Sequence, residues 1–437
     1  MHKHAAIYLR SFFPAINHVA GKLLWSVSIL LLVTFHLQAQ VYPEPYLEKA
    51  LENNPALQAK QKAYEASLSQ VQISGSLPDP QLSAGIFTPP MERLMGDQYL
   101  DLGLMQSFPW FGTLDKRQAV AEQAAMGKFS EFLVERNRLF LRITHLWLEI
   151  YNQTRKMDLL DDFIQVLNTR EDIIYSRYGA GQDQQGLMLD LYRLEIQIAD
   201  LENRKAVLEE EKLELTRTFN NLIGREELAR IDIPESLQEL PEDLPEMNDH
   251  RESFANNPRL LAAESRTAAA RIESDLTRLE TRPSFGLGVQ YAWFGAGNAA
   301  MGQMDGGHMV MPMVSVSIPV FRNKNRAIRE EGQLMADQAA YAEHHQADEL
   351  AREWYTLERS LKNLRRDQDF YNRQLSIVYK TEELVLTSYA SGDEGFDELL
   401  RIQDQIIDLE WRTLEVMVDR HKIRAEIDKL KVNHVFR

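Results

Sequence analysis

Apolar residues recur along two long stretches of the chain at steps that alternate four and three. The first series is Leu139, Ile143, Leu146, Ile150, Met157, Leu160, Ile164 and Leu167. The second is Leu350, Trp354, Leu357, Leu361, Leu364, Tyr371, Leu375 and Val378. Only Gln153 and Gln368 fall out of step. A repeat of about 3.5 residues, sustained over several heptads, predicts a coiled-coil seam, because an ordinary amphipathic helix drifts off that register. The helix breakers agree. No Pro occurs in the 124 residues between Pro109 and Pro234, nor in the 118 residues after Pro319. Gly127 is the only glycine from Thr113 to Arg177, and Gly332 the only one from Asn323 to Ser391. A helix filling the first stretch would be roughly 98 Å long at 1.5 Å per residue. Each stretch ends at a predicted turn, Tyr178-Gly179-Ala180-Gly181 and Tyr389-Ala390-Ser391-Gly392, with a second helix expected beyond it over about 184–222 and 396–433.

Two further blocks, about 78–112 and 283–321, carry a period of two. Leu100, Leu102, Leu104 and Phe108 alternate with Asp101, Gly103, Met105 and Ser107, and Gln106 interrupts the apolar side. Val310, Val314, Val316 and Ile318 share one face, against Met309, Met311, Met313, Ser315 and Ser317. Asp305 is the only charged residue between Pro283 and Phe321. Alternating segments of about ten residues fit transmembrane barrel strands. Tyr99, Phe108, Trp110, Phe111, Tyr291, Trp293, Phe294 and Phe321 are candidates for the aromatic girdles of such a barrel. The alternative is a soluble hairpin packed on the helices. Each block has room for two strands, so the chain offers four. Four strands cannot close, and lipid tolerates no open edge, so they must close with other copies of the chain.

The two halves repeat each other. Leu139 maps onto Leu350, Ile164 onto Leu375, Tyr178 onto Tyr389 and Gly181 onto Gly392, all at an offset of 211 residues. Asn54-Pro55 and Asn257-Pro258 recur upstream. The expected division is a first structural repeat over 40–224, a linker over 225–250 containing Pro234, Pro241 and Pro245, and a second repeat over 251–437. Residues 1–39 differ in kind: Lys3, Arg10 and Lys22, no acid, then the apolar run Leu23–Val33 and Leu37-Gln38-Ala39. That run suits a signal peptide and is too short for a span of about 20 residues; an N-terminal anchor is the alternative.

Composition narrows the class. The chain has 437 residues and no Cys, which excludes a disulfide framework, a thiolate metal site and a lipidated N-terminal Cys. Three of its 49 Lys and Arg lie in 1–39, leaving 46 against 65 acids, or -19 without that segment. Nucleic acid, which wants a basic face, is not an expected partner. No nucleophile elbow, P-loop, HExxH or dinucleotide fingerprint is present, so no enzyme, catalytic residue or cofactor is expected.

Beside the two Asn-Pro pairs stand Leu77-Pro78-Asp79-Pro80 and Gln106-Ser107-Phe108-Pro109-Trp110-Phe111-Gly112. With the Tyr-x-x-Gly turns, these make the mature chain resemble the TolC-like outer-membrane efflux factors. The Phe-Pro-Trp-Phe-Gly run resembles their heavy-metal cation branch, the CusC- and CzcC-like proteins. The resemblance implies an α+β membrane protein: a homotrimer whose 12-stranded barrel in outer-membrane lipid continues as a periplasmic α-helical barrel. It also implies a periplasmic adaptor and an inner-membrane pump of the RND type, with heavy-metal cations the cargo. A multidrug or type I protein-secretion channel is the nearest alternative; a secreted coiled-coil envelope protein is one of another class.

The resemblance makes Tyr178, Gly179, Gly181, Tyr389, Ser391 and Gly392 the hairpin tips that meet the adaptor. It places an aperture acid at Glu398 and a second at a position where this chain has Arg401. Asp190 and Asp397 are further aperture candidates, since each inward acid becomes a ring of three in a threefold assembly and attracts cations. Pairing of Glu398 with Arg401 between helices is expected to replace a double acidic ring. The last candidates are Met301, Met304, His308, Met309, Met311 and Met313, whose thioether and imidazole groups suit soft Cu(I) or Ag(I).

Overall fold

The computed structural model describes residues 43–178, 184–241, 250–296, 306–391 and 395–432. The expected signal peptide lies outside them. Pro43–Ile233 with Pro241–Arg437 forms one compact unit; a second comprises residues 1–42 and Pro234–Leu240, of which the described part contains no helix or strand.

Two short helices, α1 (Glu44–Asn53) and α2 (Pro55–Ser74), lead into strands β1 (Gln81–Arg93) and β2 (Gly96–Phe108). Helix α3 (Thr113–Tyr178) follows, then α4 (Gln184–Leu222). After the single turn α5 (His250–Ser253), the order recurs: α6 (Pro258–Glu280), β3 (Ser284–Gly295), β4 (Gly307–Ser317), α7 (Arg322–Ser391) and α8 (Phe396–Lys431). Helix α3 has 66 residues and α7 has 70, about 99 and 105 Å of helix. No helix among the described residues is long and apolar enough to cross a membrane.

The Asn-Pro pairs have a physical role that is the same in both halves. Asn54 Oδ1 accepts from Leu57 N at 3.1 Å, capping α2, while its Nδ2 donates to Leu222 O at 3.0 Å. Asn257 Oδ1 accepts from Arg259 N at 2.9 Å, capping α6, and its Nδ2 donates to Leu430 O at 2.8 Å. Pro55 and Pro258 sit at the first helical position, where a missing N–H costs nothing. Each motif therefore starts one helix and ties it to the far end of the same half.

The heptads form the seams. Leu160, Leu167 and Ile174 of α3 pack with Leu194, Leu201 and Leu208 of α4, each set seven residues apart and buried. Leu375 and Val378 of α7 pack with Ile402, Ile406 and Leu409 of α8. The residues out of register find polar partners on a neighbouring helix: Gln153 donates to Glu211 at 3.0 Å, and Gln368 accepts from Arg420. Near residues 139–152 the simple seam fails. Phe140, Trp147, Leu148 and Tyr151 are buried along with Leu139, Ile143 and Ile150. There the chain beyond α4 returns over α3: Trp147 Nε1 donates to Asp232 O at 3.1 Å, and Asp232 N donates to Tyr46 Oη at 2.8 Å.

The strands form one antiparallel sheet in the order β1-β2-β3-β4. Gly96, at φ +114°, makes the β1–β2 turn in a conformation that favours glycine, and Gly112, at φ +78°, turns the chain from β2 into α3. The glycine of Phe-Pro-Trp-Phe-Gly thus has a backbone reason. Phe285 packs against its two aromatics, at centroid distances of 5.8 Å from Trp110 and 6.4 Å from Phe111.

Candidate functional site

Two regions carry chemistry: the sheet and the hairpin ends. Strand register sorts the sheet residues, since directly paired residues share a face. Leu82, Leu104, Val289 and Pro312 fall in one row; Ala84, Leu102, Tyr291 and Val310 in the next. With Ile86, Leu100, Leu287, Trp293, Val314 and Val316 they make a largely apolar face, interrupted by Gln106 beside Leu287. It is open: Leu82 is 74% exposed and Val314 73%. The opposite face carries Ser83, Asp101, Gly103, Met105, Gln290, Met311, Met313 and Ser315. Gln290 Nε2 donates to both carboxylate oxygens of Asp101, at 2.8 and 2.6 Å. One side of the sheet therefore suits lipid and the other water.

This sorting divides the candidate metal cluster. Met309, Met311 and Met313 lie on the polar face, but His308 pairs across the strands with Trp293 on the apolar one. Its Nδ1 is 2.6 Å from Tyr291 Oη, and the two rings stack. His308 is thus a neighbour of the valines and is corrected out of the thioether set. Met301 and Met304 lie outside the described residues. Met105 was not among the candidates: alternation set it opposite the leucines of β2, and the register places it on the same face as Met311 and Met313. Phe294 is buried at 5% exposure and so is not a girdle residue.

At the other region, two expected residues prove structural. Tyr389, at 0% exposure, packs its ring 5.4 Å from that of Phe396 and cannot offer an adaptor a surface. Its hydroxyl donates to Asp190 Oδ2 at 3.0 Å. Asp190 is itself only 4% exposed, so it is not a free acid facing a lumen. Arg193, not anticipated, lies 3.4 Å from Asp190 Oδ1 and 2.9 Å from Asp397 Oδ2. A chain of contacts thus runs from α7 through α4 to α8. Further along, Gln197 donates to Asp404 at 2.8 Å, and Arg170 of α3 pairs with Glu382 of α7 at 2.6 Å. The spacing of Asp190 and Arg193, three residues apart on one helix, is a legible signal for that pair, whereas the link to Asp397 on another hairpin leaves none.

Glu398 and Arg401 do pair, but within α8, one turn apart, and not between helices. The hydrogen bond from Arg401 holds the Glu398 carboxyl below its ordinary value, so it stays charged. Ser391 is exposed at the end of α7. Tyr178 is the last residue of α3; Gly179, Gly181 and Gly392 lie outside the described residues. Among the described residues no group of three or more His, Cys, Asp or Glu could hold a metal ion.

No protein-family model matches the chain, and no curated protein matches it in sequence. Solved structures match its fold along nearly its whole length. The CusC structures, which concern transmembrane channel formation, superpose with a TM-score of 0.73 at 15% identity, covering 90% of this chain and 92% of that one. The MtrE outer membrane channel of Neisseria gonorrhoeae, in its open state, gives 0.70 at 18% identity, covering 90% and 89%. The outer membrane protein VceC of Vibrio cholerae gives 0.70 at 13% identity, covering 89% and 95%. The fold of this chain is accordingly the one these outer-membrane proteins share.

Proposed function

We propose that the chain is the outer-membrane channel of a tripartite efflux system, a passive exit duct for heavy-metal cations driven by an inner-membrane pump. The observation that carries this reading is the sheet, open on an apolar face, polar on the other, unpaired at β1 and β4, and continuous with the long helical hairpins. An apolar patch of that extent is out of place in water and fits the lipid face of a barrel. Three copies would close twelve strands around the polar face, in the outer membrane, with the helices forming the periplasmic duct. Residues 1–39 act as the signal peptide, and 40–224 and 251–437 as two repeats joined by 225–250.

The hairpin ends, with Tyr178, Gly179, Gly181, Ser391 and Gly392, are the contact for a periplasmic adaptor that links to an RND-type pump. The links from Arg193 to Asp397 and from Tyr389 to Asp190 hold the two hairpins together behind that contact and set the aperture at rest. With Arg193 and Arg401 beside Asp397 and Glu398, the aperture attracts cations less strongly than two free acidic rings would.

Growth of a deletion strain on copper, silver, zinc, cobalt and cadmium, with dyes and detergents in parallel, tests the cargo. Selective metal sensitivity restored by the intact gene is the expected result. Sensitivity to dyes and detergents alone would replace it with a multidrug channel.

A further inference from the structure

The polar face of the sheet contains a feature that neither strand shows by itself. Met105 of β2 pairs with Gly288 of β3, and Gly288 pairs with Met313 of β4. The three therefore share one row and one face, with the two thioethers on either side of a residue that has no side chain. The Met105 side chain lies over that gap. A Cβ at Gly288 would meet its Sδ and Cε at 3.0 Å, and one at Gly286 would meet its Sδ at 3.2 Å. Its sulfur is also 3.9 Å from Ser315 Oγ on β4. Met311, in the adjoining row, is 41% exposed.

Methionine usually fills gaps in a core, where its flexibility and apolar surface are useful. Met105 does cover the gap at Gly286 and Gly288, and both Met105 and Met313 are half-buried, yet their row belongs to the polar face of the sheet, where apolar filling alone does not call for a thioether. What a half-buried thioether on that face also offers is a soft, uncharged donor. Such donors select Cu(I) or Ag(I) and leave Na⁺, K⁺, Mg²⁺ and Zn²⁺ to oxygen, nitrogen and thiolate ligands. The chain has no thiolate to compete, and the carboxylate of Asp101 on the same face favours a cation nearby. Two neutral ligands without an enclosing cage make a site that exchanges quickly, as a passage requires.

We propose that Met105 and Met313 form a thioether site for a soft monovalent cation, Cu(I) or Ag(I), on the polar face of the sheet, with Met311 as the next contact. Its place on an export path rests on the channel reading above; binding itself does not.

The test is a titration of the full chain in detergent with silver nitrate, chloride-free, observed through ¹³C-methyl methionine resonances. The expected result is a saturable shift of the Met105 and Met313 methyl signals, absent with Na⁺, K⁺ or Zn²⁺ and lost in the Met105→Leu/Met313→Leu variant. Met188, exposed on α4, is the internal control. No shift, or a shift that Met188 shares equally, or one that survives in the double variant, would overturn the proposal. Insertion into lipid vesicles is measured on the same preparations. A protein that inserts and does not bind silver sinks the site alone; one that binds silver and does not insert sinks the channel reading alone.

Discussion

Asp190 shows what a single residue's chemistry depends on. By sequence it is an acid near a turn; in the structure it is a buried acceptor for Tyr389 Oη and a partner of Arg193. Burying a carboxylate is tolerable only while such partners remain, so Tyr389→Phe should cost about 1–3 kcal/mol locally. Arg193→Gln should cost less through its link to Asp397, whose side chain is 69% exposed, because exposed ion pairs are worth under about 1 kcal/mol. Hydrogen exchange of the amides around residues 385–391 and 395–400 reads both effects. Faster exchange is expected in each variant, more so in Tyr389→Phe; unchanged exchange in Tyr389→Phe would show that its hydroxyl holds nothing. The sequence supplied the correct residue types here and misjudged their exposure. Burial of Asp190 and Tyr389 depends on packing between two hairpins roughly 200 residues apart in sequence, and a charge pattern read along one helix carries no record of that.

Elements were more legible, because their signals are local. Helix length followed from missing breakers, and the seams from residues such as Leu160, Leu167 and Ile174 at heptad spacing. The Asn-Pro pairs were visible as a repeat, but their reason was not: the tie to Leu222 or Leu430 spans 168 or 173 residues. Likewise, alternation gave the two faces of each strand without saying which residues of different strands share one. Alternation alone puts His308 with Val310 and Val314, but only the register sets Met105 in one row with Met313, since a shift of one residue exchanges the faces. The Asn motif yields a test at this scale. Asn54→Ala and Asn257→Ala each remove an N-cap and a tertiary hydrogen bond, and each should cost about 1–2 kcal/mol. Substituting Gly, which caps nearly as well but cannot reach the distant carbonyl, should recover only the capping part. Thermal unfolding of the four variants separates the two roles; equal losses for Ala and Gly would assign the whole effect to the tie.

At the scale of the whole molecule, the unpaired edges of β1 and β4 decide the most. In water they would invite aggregation, and in lipid each unpaired N–H and C=O would be stranded without a partner. Pairing β4 of one copy with β1 of the next would satisfy both edges and would bring the apolar faces into one belt. Two copies would close eight strands, a barrel whose interior side chains fill; three would close twelve and leave room for a passage. The long hairpins favour the larger ring, because in the proposed duct each copy would add α3, α4, α7 and α8 to a helical wall below it. The detergent-extracted protein should therefore have a polypeptide mass three times that of a single chain and should dissociate on heating in denaturing gels. A mass of two chains would give an eight-stranded barrel and remove the duct. A monomer that leaves the membrane fraction without detergent would remove the barrel altogether and assign the apolar face to another partner.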